Sequence, residues 1–127
     1  IRSLLAGAEE SIRTACLQGT PAEIRHNLAY DAARMAAQAV MACEGFRTAG
    51  QAGHHQTLFQ FLRDAAEGKW ATEAAQFETS RVKRNRSQYH QFGLIAQTEA
   101  DQLVELAMRF LAEVRDWLQT RDILPKE

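Results

Sequence analysis

Apolar residues recur at three- and four-residue steps along most of the chain, the period of one face of an α-helix, and nowhere does the two-residue alternation of a half-buried strand hold. Leu5, Ala8, Ile12 and Cys16 mark a first helix over about 2 to 17, closed by Gly19. Thr20-Pro21 then reads as a cap followed by proline at the first helical position, with Glu23 as the reciprocal capping acid. The second helix covers about 21 to 46. Its apolar line is Ile24, Leu28, Met35, Ala39, Ala42 and Phe46, opposed by a polar line of Asn27, Asp31, Arg34 and Gln38. "RTAGQAGHH" (47 to 55) is the clearest loop, and a short helix from about 54 to 66 turns Leu58, Phe59 and Leu62 inward. Gly68 separates it from a fourth helix over about 69 to 90, ended by Gly93. Thr98 caps a last helix to about 121, with Leu103, Leu106, Phe110, Val114 and Trp117 as its buried stripe and Glu105 and Arg109 as a supporting exposed pair. The closing "ILPKE" reads as a frayed tail. Short connections imply antiparallel neighbours, so the expected fold is all-α: a mainly up-and-down bundle of about five helices forming one domain over 1–127.

Composition agrees. The 127 residues are 46% hydrophobic and 24% charged, with Leu and Ala dominating the apolar set and only two prolines. No apolar run approaches the about 20 residues that a membrane-crossing helix needs. No signal peptide is visible, and a start at Ile1 instead of methionine leaves a missing N-terminal segment open. Cys16 and Cys43 form no CxxC pair and are expected as small buried hydrophobes in a reducing, cytoplasmic setting.

Charge changes the picture through its distribution. Net charge is −1, yet no acidic residue falls between Thr79 and Thr98, where four of the 15 Lys+Arg lie; the rest of the chain then has 11 cations against 16 anions. "SRVKRNRSQYHQFG" (80 to 93) puts Arg81, Lys83, Arg84 and Arg86 on the fourth helix, directly before Tyr89 and His90. The apolar line of that helix runs Trp70, Ala74, Phe77, and the same steps then land on Arg81 and Arg84. Cations thus occupy the face where core residues would continue, and a buried unpaired guanidinium costs several kcal/mol, about what a partner must offset. Carboxylates, a second subunit or an anionic ligand are the candidates, and Asp31 on the polar line of the second helix is one such carboxylate. A solvated helix end, with cations favoured by the dipole, is the other reading. Arg86 and His90 share a face one turn apart, whereas Arg84 and His90 stand about 120° apart on a regular helix and converge only where it loosens.

Other candidates are weaker. Adjacent His54 and His55 diverge by about 100° on a helix and cannot both ligate one ion, so no metal and no cofactor is expected. His26, five positions from Asp31, reads as surface. Trp70 and Trp117 lie on apolar stripes and read as core.

"RNRSQYH", with "RVK" before it, resembles the motif region of HEPN domains (higher eukaryotes and prokaryotes nucleotide-binding), small helical bundles in which an Arg and a polar follower precede a His by a few positions. Arg84 corresponds to the arginine, Asn85 to the follower and His90 to the histidine, with five residues between. "AYDAARMAAQAVMACEGFRTAGQAGHHQTLFQFL" (29 to 62) is similar to the second helix, glycine loop and third helix of bacterial members. The chain departs from the best-known toxin pattern in that Tyr89 takes the nearer place and His90 follows one step later. The resemblance implies a bacterial, cytoplasmic homodimer whose paired motifs line one cleft and cut RNA without metal, in several members as a toxin beside a nucleotidyltransferase-like antitoxin. Other members bind or regulate without cutting. The roles implied are Arg84 on the transition-state charge, His90 as acid and base, Asn85 orienting the phosphate or the histidine, and Arg81, Lys83, Arg86 and Tyr89 holding RNA. A binding module engaging a protein or nucleotide, and a plain helical scaffold, are the alternatives.

Overall fold

The computed structural model describes residues 1–44, 54–89 and 95–121, with the side chains of 54–57 and 87–89 outside that set. The chain folds as an all-α bundle: α1 (Arg2–Ala15), α2 (Ala22–Cys43), α3 (His54–Asp64), α4 (Ala71–Tyr89) and α5 (Gln97–Thr120), with a tight turn, Ala65–Gly68, between α3 and α4. No strand occurs among the described residues. No described helix is long and apolar enough to cross a membrane. The 47–55 loop, apart from the start of α3, lies outside the described residues, as do Gly93 and the final tail.

The central element is α2, which packs against all four other helices. Its alanines make this possible, since a methyl lets a neighbouring backbone approach closely on every side. Ala29, Ala32, Ala33, Ala36, Ala37 and Ala39 are all buried. A single apolar line was therefore the wrong description of α2: Ile24 is 50% exposed and Ala42 is exposed, whereas Tyr30 and Val40 are buried. On α1, Gly7 leaves room for Met35 of α2: a Cβ there would stand 2.7 Å from Met35 Sδ.

Ion pairs fix the direction of the helices. Arg25 meets Asp101 near the starts of α2 and α5, and Arg121 meets Glu44 near their ends, so these two run side by side in the same direction. Antiparallel pairing holds for α1 with α2, where Gly7 faces Met35 and the Arg25 guanidinium donates to the Ala15 carbonyl at 3.0 Å. It holds for α4 with α5, where Lys83 meets Glu99 and Trp70 Nε1 donates to Glu113 at 3.1 Å.

The core includes a run of touching rings: Trp117, Trp70, Phe110, Phe77, Phe59 and Tyr30, with centroids between 5.1 and 5.9 Å apart along the chain of contacts. Edge-on and tilted contacts of this kind are favoured by the ring quadrupole. The run ends at Tyr30, beside the basic end of α4.

Three local expectations are corrected. Thr20 does not cap α2; its hydroxyl donates to Leu17 O at 2.8 Å at the end of α1, and α2 starts at Ala22 without a side-chain cap. Thr98 lies inside α5, whose entry is held instead by Glu99 Oε1 accepting from the Ala96 N–H at 3.5 Å. Cys16 is exposed and Cys43 half-buried: the buried stripe of α1 runs Leu5, Ala8, Ile12, Ala15 and so misses Cys16, and Cys43 is the last residue of α2.

Candidate functional site at the end of α4

The register of α4 carries its apolar line straight into charge. Trp70, Ala74 and Phe77 are buried, and the next two positions of that line, Arg81 and Arg84, are half-buried with side chains 20% and 24% exposed. Val82 points away from the core, 38% exposed.

Carboxylates meet three of the cations. Arg81 donates from Nε and Nη2 to one oxygen of Glu78, at 2.9 and 2.7 Å. This bond raises the guanidinium pKa further above its ordinary value. The second Glu78 oxygen is buried and finds no partner among the described residues. Lys83 reaches across to Glu99 at the start of α5, and that hydrogen bond holds the glutamate below its ordinary value. Arg84 approaches Asp31 of α2 at 3.5 Å, so the carboxylate expected from the polar line is the one found. Asp31 also lies 3.9 Å from Arg34, whose Nη1 donates to Gln38 at 3.2 Å. The seam is thus half-buried rather than solvent-facing.

Arg84 makes a second contact, its guanidinium carbon 5.3 Å from the centroid of Tyr30. Burial pushes the Tyr30 hydroxyl up to about 12 despite the nearby arginines. The Nε of Arg84 is buried and without a partner among the described residues. Asn85 and Arg86 are exposed beside it. Tyr89 ends α4 with its side chain outside the description, and His90 lies outside the described residues altogether, so the structure brings together Arg84, Asp31 and Tyr30 and leaves the approach of Arg84 to His90 undescribed.

The surface reading of His26 is overturned. It is 2% exposed, and burial holds its imidazole below the ordinary 6.5. The signal was present in the sequence: His26 extends the stripe Ala29, Ala33, Ala36, Val40 by one turn. Beside it a hollow of about 370 Å³ opens between α2, α4 and α5. Glu99 and Tyr30 were also missed. Glu99 is the first acid after the acid-free stretch, which marks it as the nearest counter-charge in sequence.

Among the described residues, no group of three or more His, Cys, Asp or Glu is arranged to hold a metal ion. Chemically, the end of α4 offers a positioned guanidinium, a neighbouring exposed amide and cation, and compensating carboxylates within reach. No family model matches this chain, and no curated protein or solved structure is significantly similar to it.

Proposed function

We propose that this chain is a HEPN-like domain that acts on RNA in a bacterial cytoplasm, working as a homodimer through the end of α4. The observation that carries the reading is the placement of Arg84: half-buried, set on Tyr30 and held by Asp31. A guanidinium fixed in this way loses little freedom on meeting a phosphate, and its planar fork suits two oxygens at once. Exposed Asn85 and Arg86 extend the same surface.

In the catalytic form, His90 takes the proton of a ribose 2′-hydroxyl as its oxygen bonds to phosphorus. Arg84 meets the charge of the five-coordinate phosphorus, and the bond to the 5′-oxygen breaks with a proton returned to it. The products are a 2′,3′-cyclic phosphate and a 5′-hydroxyl end. Asn85 orients the phosphate, while Arg81, Lys83, Arg86 and Tyr89 hold the strand. A nucleotidyltransferase-like antitoxin is the partner of the toxin form.

A specific observation favours the second reading, a module that binds without cutting. Arg81 and Lys83 are already committed to Glu78 and Glu99, which leaves less free positive charge for a polyanion than the sequence suggests. Incubating the purified chain with mixed RNA and a metal chelator separates the two. The catalytic form requires cutting that falls by about 100-fold or more in Arg84→Ala and His90→Ala. Salt-dependent RNA binding without cutting, weakened in Arg84→Ala and Arg86→Ala, selects the binding module. An absence of both discards the RNA reading.

A further inference from the structure

The hollow between α2, α4 and α5 lies beside the Arg84 surface, shares Lys83 with the proposed RNA contacts, and has a lining with a chemistry of its own. At about 370 Å³ it is at the small end of ligand sites. Both signs of charge line it in balance, with Lys83 and Arg109 set against Glu99 and Glu105. His26 and Ser80 also line it and are only 2% and 8% exposed. Leu103 and Leu106 supply its apolar part.

Each class of occupant can be weighed against this lining. A bare polyanion meets two carboxylates, and a simple cation meets Lys83 and Arg109. A wholly apolar molecule strands the imidazole and the charges away from water. Lys83 and Glu99 are hydrogen-bonded to one another, yet the ammonium has three donors and the carboxylate about four acceptor positions. Both therefore keep capacity for a second pair laid against the first with its charges reversed.

We infer that this hollow binds a small zwitterion of the free amino-acid class, its carboxylate accepting from Lys83, its ammonium donating to Glu99, and its polar side chain meeting His26 and Ser80. Arg109 and Glu105 complete the charge balance at the mouth. The Nδ1 of the neutral His26 ring already faces Asn27 Oδ1 at 3.5 Å, so its other nitrogen is the acceptor offered to the side chain.

The test is a titration of the isotope-labelled chain with polar amino acids such as glutamine and serine, followed by amide NMR. Saturable movement of the Ser80, Lys83 and Gln102 signals is expected, with N-acetylated and methyl-ester derivatives binding about tenfold or more weakly because each lacks one charge. Glu99→Gln weakens binding by a similar factor. Gln102→Trp, at an exposed lining position, plugs the hollow and abolishes binding while the helical spectrum is kept. The inference is overturned if no common amino acid gives saturable shifts in the wild-type chain. It is equally overturned if the blocked derivatives bind as well as the free ones, or if inorganic phosphate moves the same signals more strongly. RNA cleavage is not part of this readout, and Lys83 is the residue that the two proposals share.

Discussion

The guanidinium carbon of Arg84 stands 5.3 Å from the centre of the Tyr30 ring, and Asp31, the next residue along α2, meets the same guanidinium at 3.5 Å. Two adjacent positions of one helix thus supply both a ring face and a counter-charge to a cation arriving from another helix. Attraction of a guanidinium to a ring face adds to the ion pair where water is partly excluded.

Removing the counter-charge tests this arrangement. Asp31→Ala leaves Arg84, and Arg34 at 3.9 Å, without it, and is expected to lower stability by about 1–2 kcal/mol in urea unfolding. The pair with Arg84→Ala in a double-mutant cycle should show a coupling of about 0.5–1 kcal/mol, as suits a partly exposed ion pair. Additive single effects would show that the two side chains do not interact.

Acid should destabilise the bundle in two separate windows. The buried His26 imidazole faces Asn27 on its own helix, Lys83 and Arg84 from α4 and Glu99 from α5, and its pKa lies below 6.5. An unfolded chain takes up that proton first, so stability is full above about pH 6.5 and falls as pH drops towards the lower folded value, by at most about 1.4 kcal/mol per pH unit. Glu99, held down by Lys83, adds a further loss below its ordinary 4.5. Chemical unfolding across this range should lose the first phase in His26→Gln and keep the second.

Base acts through Tyr30. Its folded pKa of about 12 exceeds the ordinary 10, so the unfolded chain releases this proton first. Stability attributable to Tyr30 is therefore complete below pH 10 and disappears as pH rises towards 12. A spectrophotometric phenol titration should show one delayed tyrosine, absent in Tyr30→Phe.

The turn after α3 carries strain that glycine relieves. Ala66 and Glu67 have φ of 52° and 59°, the left-handed region where a Cβ crowds the following carbonyl, and Gly68 follows at 79°. Glu67 is exposed, so Glu67→Gly changes little else. It is expected to stabilise the chain by about 0.5–1 kcal/mol, seen as a rise in Tm. A fall would mean that the Glu67 side chain contributes a contact worth more than the strain.

Helix positions were legible because each helix has to show an apolar face, and that face has a period. The line Trp70, Ala74, Phe77, Arg81, Arg84 could be followed residue by residue, and its charged end demanded carboxylates before any were located. The cap residues were less legible. Thr20 and Thr98 have the right chemistry one or two positions from the right place, and a hydroxyl bonds whichever carbonyl or N–H the backbone presents.

By itself, the amino-acid order determined five helices, their approximate extents and the need of Arg81 and Arg84 for partners, since these follow from local periodicity and from the cost of burying charge. Tertiary structure alone decided that α2 is enclosed by the other four helices and that Glu78 and Glu99 join Asp31 as the carboxylates used. An alanine-rich helix carries almost no asymmetry to say which sides will be covered. Pairing between helices depends on the direction and rotation at which they pack, quantities set by the whole core at once and by no single stretch of the chain.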